Sequence, residues 1–257
     1  MDVALDSLGK PARLRRTRIK MCGMTRAEDV RTACALGADA VGFVCAPSAR
    51  RVDPARLAEL AAAIAPFVTP VLLFVDAPAA TVREALAVLP HASLQFHGNE
   101  DEVYCRSFGR PYLRAVPMAA GIDLLEFESR FASALALLAD SAGKSRDAGD
   151  IAGAPAGQAT GQTNKQAAGL ANYGGTGQSF DWSLLPPAAH RRLPLVLAGG
   201  LEAANVAAAI RQCQPFAVDV SSGIEEARGF KSASRMHDFV AAVRRADLHM
   251  AAMQGAQ

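Results

Sequence analysis

The chain has no CxxC pair, no long apolar run and no marked imbalance of charge, and each absence removes a class of function. Its five cysteines, Cys22, Cys34, Cys45, Cys105 and Cys213, are odd in number and widely spaced. That pattern argues against a disulfide framework or a zinc site, and it predicts a reducing, cytoplasmic setting. Nowhere do about eighteen apolar residues run together, and no basic start, apolar run and small-residue cleavage site occur in sequence near the N-terminus, so neither a membrane span nor a secretory leader is expected. With 27 basic and 25 acidic residues, the formal charge of +2 gives no electrostatic case for nucleic acid or a membrane surface. The local run Arg13, Arg15, Arg16 and Arg18 has no aromatic residues between its cations, so it reads as a solvated N-terminal tail. No second histidine stands at ligand spacing from another, and no metal is predicted.

The 257 residues present are enough for one large α/β domain or two small ones. Short apolar runs that read as buried strands recur at Arg18 to Met21, Ala40 to Val44, Pro70 to Val75, Ser93 to Phe96, Tyr112 to Val116, Ala134 to Leu138, Leu193 to Ala198 and Phe216 to Val220. Stretches of helical period separate most of them, from Arg26 to Leu36 through to Ser232 to Ala246. Thr25 with Glu28 reads as a capping box for the first helix, and Asp53 followed by Pro54 reads as cap and first position of the second. Strand starts fall roughly twenty to thirty residues apart, the length of one β-plus-α unit. Eight such units predict a single-domain (β/α)8 barrel over residues 18–247, with tails at 1–17 and 248–257. An open doubly wound sheet competes less well, because no GxGxxG turn follows the first strand.

One segment breaks this rhythm. Residues 141–172 are rich in Gly, Ala, Gln, Ser and Thr and contain no aromatic residue, so they read as a flexible insertion after strand six and not as a second domain.

Active sites in such barrels lie at the C-terminal ends of the strands. At that rim the sequence places Cys22 after strand one, Arg50 and Arg51 in PSARRVDP after strand two, His97 in LQFHG after strand four, and Asp140 at the end of ALALLAD after strand six. Glycine-rich turns follow in YGGTGQSFDW, LAGGLEAANV and VDVSSGIEE. Gly175, Gly199, Gly200, Ser221, Ser222 and Gly223 are the candidate phosphate-binding positions, offering backbone N–H groups to a dianion, with the YGGTG segment a candidate lid. Each turn alone is no more than a tight turn. Their agreement on one rim is what points to a phosphate.

Taken in order, IKMCGMTRAEDV, GADAVGFV, SARRV, LQFHG, YGGTGQSFDW, LAGGL and PFAVDVSSGIE resemble the phosphoribosylanthranilate isomerases, enzymes of tryptophan biosynthesis, over about residues 18–246 without the insertion. The resemblance implies a (β/α)8 barrel, no metal or organic cofactor, a small phosphosugar substrate, and an Amadori rearrangement of N-(5-phosphoribosyl)anthranilate. It further implies Cys22 as general base, Asp140 as general acid and Arg50 as the cation holding the anthranilate carboxylate. Monomer and homodimer are both compatible with it.

Bland readings stand beside these. A lone cysteine is more often a small buried hydrophobe, and Cys34, Cys45, Cys105 and Cys213 keep that reading. Arg51 competes with Arg50 for the carboxylate. His97 either contacts substrate or hydrogen-bonds the rim, and Asp219 is either a barrel-interior partner or a substrate contact. A register slip in strand six would bring Asp147 or Asp150 forward in place of Asp140, although neither ends an apolar run. Asp181 reads as the cap of a short helix beginning at Trp182.

Overall fold

A computed structural model of the chain describes residues 16–141 and 179–254. The Gly175 site, Asp147 and Asp150, residues 142–172 of the insertion and all of YGGTG (173–177) lie outside the described residues. So do Arg13 and Arg15.

Eight parallel strands close into a barrel in chain order. They are β1 (Arg18–Cys22), β2 (Ala40–Val44), β3 (Thr69–Phe74), β4 (Ser93–Phe96), β5 (Tyr112–Met118), β6 (Ala136–Ser141), β7 (Leu195–Leu197) and β8 (Ala217–Val220). Helices α1 (Ala27–Ala35), α2 (Pro54–Ala61), α3 (Ala79–Val88), α4 (Glu102–Arg106), α5 (Leu124–Arg130) and α6 (Val206–Cys213) follow the strands in turn, except between β6 and β7, where the described residues form two short turns. After β8 comes a small hairpin, β9 (Glu225–Ala227) and β10 (Phe230–Lys231), and then the long α7 (Ala233–Gln254). The described helices include none long and apolar enough to cross a membrane.

Alternation along the strands sorts the core into two parts. Ile19, Met21, Val41, Phe43, Leu72, Phe74, Leu94, Phe96, Val116, Leu137, Leu197 and Val218 point outward into one large cluster shared with the helices. The inward positions form a second cluster of smaller residues, Val71, Leu113, Ala115, Ala136, Leu138, Val196, Ala198 and Ala217. A ring of eight strands leaves room inside for side chains of that size.

Several local expectations shift. Asp53 accepts the Arg56 N–H at 2.8 Å and Pro54 opens α2, as expected, and Asp181 caps its short turn through the Ser183 N–H at 2.9 Å. The Thr25 capping box does not form. Arg26 is the residue before α1, with no side-chain cap, and the Thr25 hydroxyl donates instead to the Gly229 carbonyl of the β9–β10 turn. Strand β6 begins two residues later than expected and runs through Asp140, which therefore lies within the strand. The last helix continues past residue 247 to Gln254, so much of the expected C-terminal tail is helical. Its Asp247 accepts the Thr17 hydroxyl at 2.6 Å, and Arg244 donates to the Thr17 carbonyl at 2.8 Å, which fastens the start of β1 to the end of the fold.

The turns after β7 and β8 touch through a missing side chain. A Cβ on Gly223 would fall well inside contact distance of the Leu201 carbonyl oxygen, which is backbone and has little freedom to move. Gly223→Ala is therefore expected to lower stability by about 1–3 kcal/mol, as forced overpacking does. Thermal unfolding followed by circular dichroism would measure it, and an unchanged midpoint would show that the two turns move apart freely.

Candidate active site

Cys22 and Lys20 share the inward face of β1, while Ile19 and Met21 face the helices. Opposite Cys22 on β2 stands Gly42, where a Cβ would lie 2.7 Å from the Cys22 sulfur. The glycine thus leaves the space that the thiol fills. Lys20 stands opposite Asp219 of β8, and its ammonium meets Asp219 Oδ2 at 2.8 Å inside the barrel. Both side chains are buried, at 4% and 8% exposure, so the pair is shielded from solvent. Burial alone would lower the Lys20 pKa, but Asp219 and Cys22 together raise it, and the lysine stays an ammonium. Burial pushes the Cys22 thiol up, and the charge of Lys20 pulls the other way.

Across the ring, Asp140 follows Ala136 and Leu138 on the inward face of β6. Its Oδ2 lies 3.2 Å from His97 Nε2, and its Oδ1 accepts the Ser141 N–H at 2.8 Å. Gln95 Nε2 meets the other ring nitrogen, Nδ1 of His97, at 3.1 Å. A Cβ on Gly199 would stand 3.0 Å from Asp140 Oδ1 and 2.6 Å from the Ser141 nitrogen. With its φ of 81°, this first glycine after the strand lets the β7 turn close against Asp140. Asp219 feels the charges of both walls, Lys20 and Cys22 on one side and Asp140 and His97 on the other. Sulfur and carboxyl both face inward at the C-terminal ends of their strands, and so open into one barrel mouth.

Arg50 and Arg51 are separated by this geometry. Arg51 is exposed, whereas Arg50 turns to the rim, its Cδ 2.6 Å from where a Cβ on Gly23 would stand. Arg50 grips Glu225 with two parallel bonds, Nε and Nη2 each 2.7 Å from a carboxylate oxygen. Lys231, fully buried, adds a 2.9 Å bond to Glu225 and a 3.0 Å bond to the Ser221 carbonyl. Burial would raise the Glu225 carboxyl, but Arg50 and Lys231 hold it below the usual range. The pair ties the turn after β2 to the hairpin after β8.

Of the residues expected at the site, Cys22, Arg50, His97, Asp140, Gly199, Gly200, Asp219, Ser221, Ser222 and Gly223 all lie at the C-terminal mouth of the barrel. His97 is bonded to the rim, through Asp140 and Gln95, and Asp219 is an interior partner of Lys20. Lys20, Gln95, Glu225 and Lys231 were not singled out from sequence. For Lys20 a signal existed, a cation inside the apolar run RIKMC two residues before Cys22, and so on the same strand face. Cys45 and Cys105 are pushed up to about 12 by burial and Cys213 to about 11, in keeping with packed thiols. Among the described residues no cluster of three or more His, Cys, Asp and Glu side chains is placed to hold a metal ion.

Comparison with known proteins follows the same lines. The family model described as N-(5'phosphoribosyl)anthranilate (PRA) isomerase matches residues 19–242. The N-(5'-phosphoribosyl)anthranilate isomerase of Dechloromonas aromatica is 47% identical over 235 residues, 90% of this chain and 98% of that protein. That of Ralstonia nicotianae is 45% identical and covers 93% of this chain and 97% of its own. The crystal structure of the Thermotoga maritima phosphoribosyl anthranilate isomerase superposes with a TM-score of 0.71 at 31% identity, covering 89% of this chain and 99% of that one. A further isomerase structure, solved in complex with reduced 1-(o-carboxyphenylamino)-1-deoxyribulose 5-phosphate, gives 0.70 at 28% identity with the same coverage. By sequence over nearly its whole described length and by the closed barrel it forms, this chain belongs to the N-(5'-phosphoribosyl)anthranilate isomerase family.

Proposed function

We infer that the chain catalyses the Amadori rearrangement of N-(5-phosphoribosyl)anthranilate to 1-(2-carboxyphenylamino)-1-deoxyribulose 5-phosphate, a step of tryptophan biosynthesis. The observation that carries the assignment of residues is a thiol and a carboxyl that both face inward at the C-terminal ends of β1 and β6 of one closed barrel.

The reaction needs an acid and a base on opposite sides of a sugar. Asp140, as a carboxylic acid, gives its proton to the furanose ring oxygen as the C1′–O bond breaks and the aniline nitrogen forms a Schiff base. Cys22, as thiolate, then takes the C2′ proton, leaving an enolamine that tautomerises to the ketone. Such proton transfers contribute about 10²–10⁴-fold each when the groups are held in place. His97, bonded to Asp140 Oδ2, orients the acid. Arg50 uses two of its nitrogens on Glu225 and has Nη1 left to meet the anthranilate carboxylate at the rim.

The phosphate is assigned to the turns after β7 and β8. Gly199, Gly200, Ser221, Ser222 and Gly223 bring backbone N–H groups to one side of the mouth, where Asn205 Nδ2 fixes the first turn by bonding the Gly200 carbonyl at 2.8 Å. Gly175 belongs to the same proposal from sequence alone. Binding a small phosphosugar in this way places the sugar carbons between Cys22 and Asp140.

Phosphoribosylanthranilate is fluorescent, and its loss reports turnover. Cys22→Ser and Asp140→Asn are each expected to slow that loss by about 10²–10⁴-fold. Turnover close to wild type in either variant would remove the assigned role. Arg50→Met is expected to raise KM by about ten-fold or more, the worth of one charged hydrogen bond, with a smaller effect on kcat. A KM left unchanged would move the carboxylate contact elsewhere.

A further inference from the structure

Lys20 has no part in the scheme above, yet it is a lysine buried in the barrel interior within reach of the reacting sulfur. Inside the ring its ammonium meets Asp219 at 2.8 Å, and Cys22 lies one pleat further along the same strand face. Stability alone gives little reason for such a pair, because buried ion pairs are commonly matched or bettered by apolar residues of the same volume. Asp219 adds to the puzzle. Its Oδ1 is buried and has no hydrogen-bond partner among the described residues.

We propose that Lys20 is a positioning residue for the isomerisation: its ammonium, fixed on Asp219, is the counter-charge that holds the Cys22 sulfur as an anion facing the sugar. The inference rests on the reading of Cys22 as the base. The charged groups that act on the sulfur are Lys20 on its own strand, Asp219 on β8, Lys231 on β10 and Arg50 on the turn after β2. Lys231 and Arg50 are both bound to Glu225, and Lys231 also to Ser221. Lys20 stands two residues before Cys22 on the same inward strand face, with its ammonium held on Asp219 at 2.8 Å. On Asp219 the acting charges are Lys20, Asp140 and His97. When Cys22 ionises, its S–H proton leaves for solvent and Lys20 remains an ammonium. The thiolate then takes the C2′ proton and is a thiol again until the next cycle.

A cation and an anion beside one thiol act with opposite sign, and this makes the proposal testable apart from any structural role. Thiolate formation is followed by far-ultraviolet absorbance against pH, each protein being measured against its own Cys22→Ser counterpart so that the other cysteines cancel. The series is wild type, Asp219→Asn, and the double variant Lys20→Met with Asp219→Asn, which leaves no unpaired buried charge. Adding Lys20→Met to Asp219→Asn is expected to move the Cys22 midpoint upward by about one pH unit or more. The accompanying fall in kcat at neutral pH is about ten-fold, with KM nearly unchanged. Where Asp219→Asn alone does not fold, the wild type is the reference and a smaller upward movement is required, because losing the Asp219 carboxylate lowers the midpoint while losing the stronger-acting Lys20 ammonium raises it. An unmoved midpoint with the double variant folded, or kcat equal to that of its reference, would overturn the role of Lys20. Near-normal turnover in Cys22→Ser would instead overturn the base assignment beneath it, so the two failures are told apart.

Discussion

Closing eight strands into a ring brings the first strand beside the last, and at that seam Lys20 meets Asp219. Neither charge could stay inside the barrel alone, since an isolated buried ion costs several kcal/mol even after the protein relaxes. Only closure in this register makes the interior tolerable for both. The requirement runs in the other direction too. A slip of one residue along β1 would turn Lys20 and Cys22 toward the helices and bring Ile19 and Met21 inside, exchanging the two faces of the strand at once. The seam therefore links the topology of the fold to the placement of the thiol.

Much of the barrel was readable because strand and helix periods are local. Eight apolar runs at β-plus-α spacing specify the architecture, and the rim rule then picks out Cys22, Arg50, His97 and Asp140. Boundaries were less readable. Leu135 is apolar but 55% exposed, so the run beginning at Ala134 overstates the start of β6 and hides that Asp140 belongs to the strand. The Thr25–Glu28 capping box failed for a tertiary reason, since the Thr25 hydroxyl finds its acceptor at Gly229, far along the chain. The Arg50–Glu225 pair is separated by 175 positions, and no local pattern announces it. Lys20 is intermediate: its position in an apolar run was visible, but its meaning depends on knowing which way the pleat turns.

Glycines mark the places where the mouth is built from backbone. Gly42 leaves the volume of the thiol, Gly199 lets the β7 turn reach Asp140, and Gly223 lets the β8 turn reach Leu201. In each case a methyl group would meet a catalytic candidate or a fixed carbonyl. These contacts explain why turns that look interchangeable in sequence differ in the structure. Gly121, by contrast, has nothing within 4 Å of where a Cβ would stand, and serves only the turn it makes.

The opposite demands on the two groups proposed to react follow from the same enclosure. A mouth dry enough to let a weak acid and a weak base act on a sugar also pushes a thiol toward its neutral form, as burial does to Cys22. Fixed cations must then compensate, and three stand near the sulfur, Lys20 on Asp219 inside the barrel and Lys231 and Arg50 on Glu225 at the rim. Each is bound to a carboxylate, so none is a bare charge that would bind any anion indiscriminately. In the proposed reading, an anionic substrate adds its phosphate and carboxylate to this balance as it seats beside the sulfur.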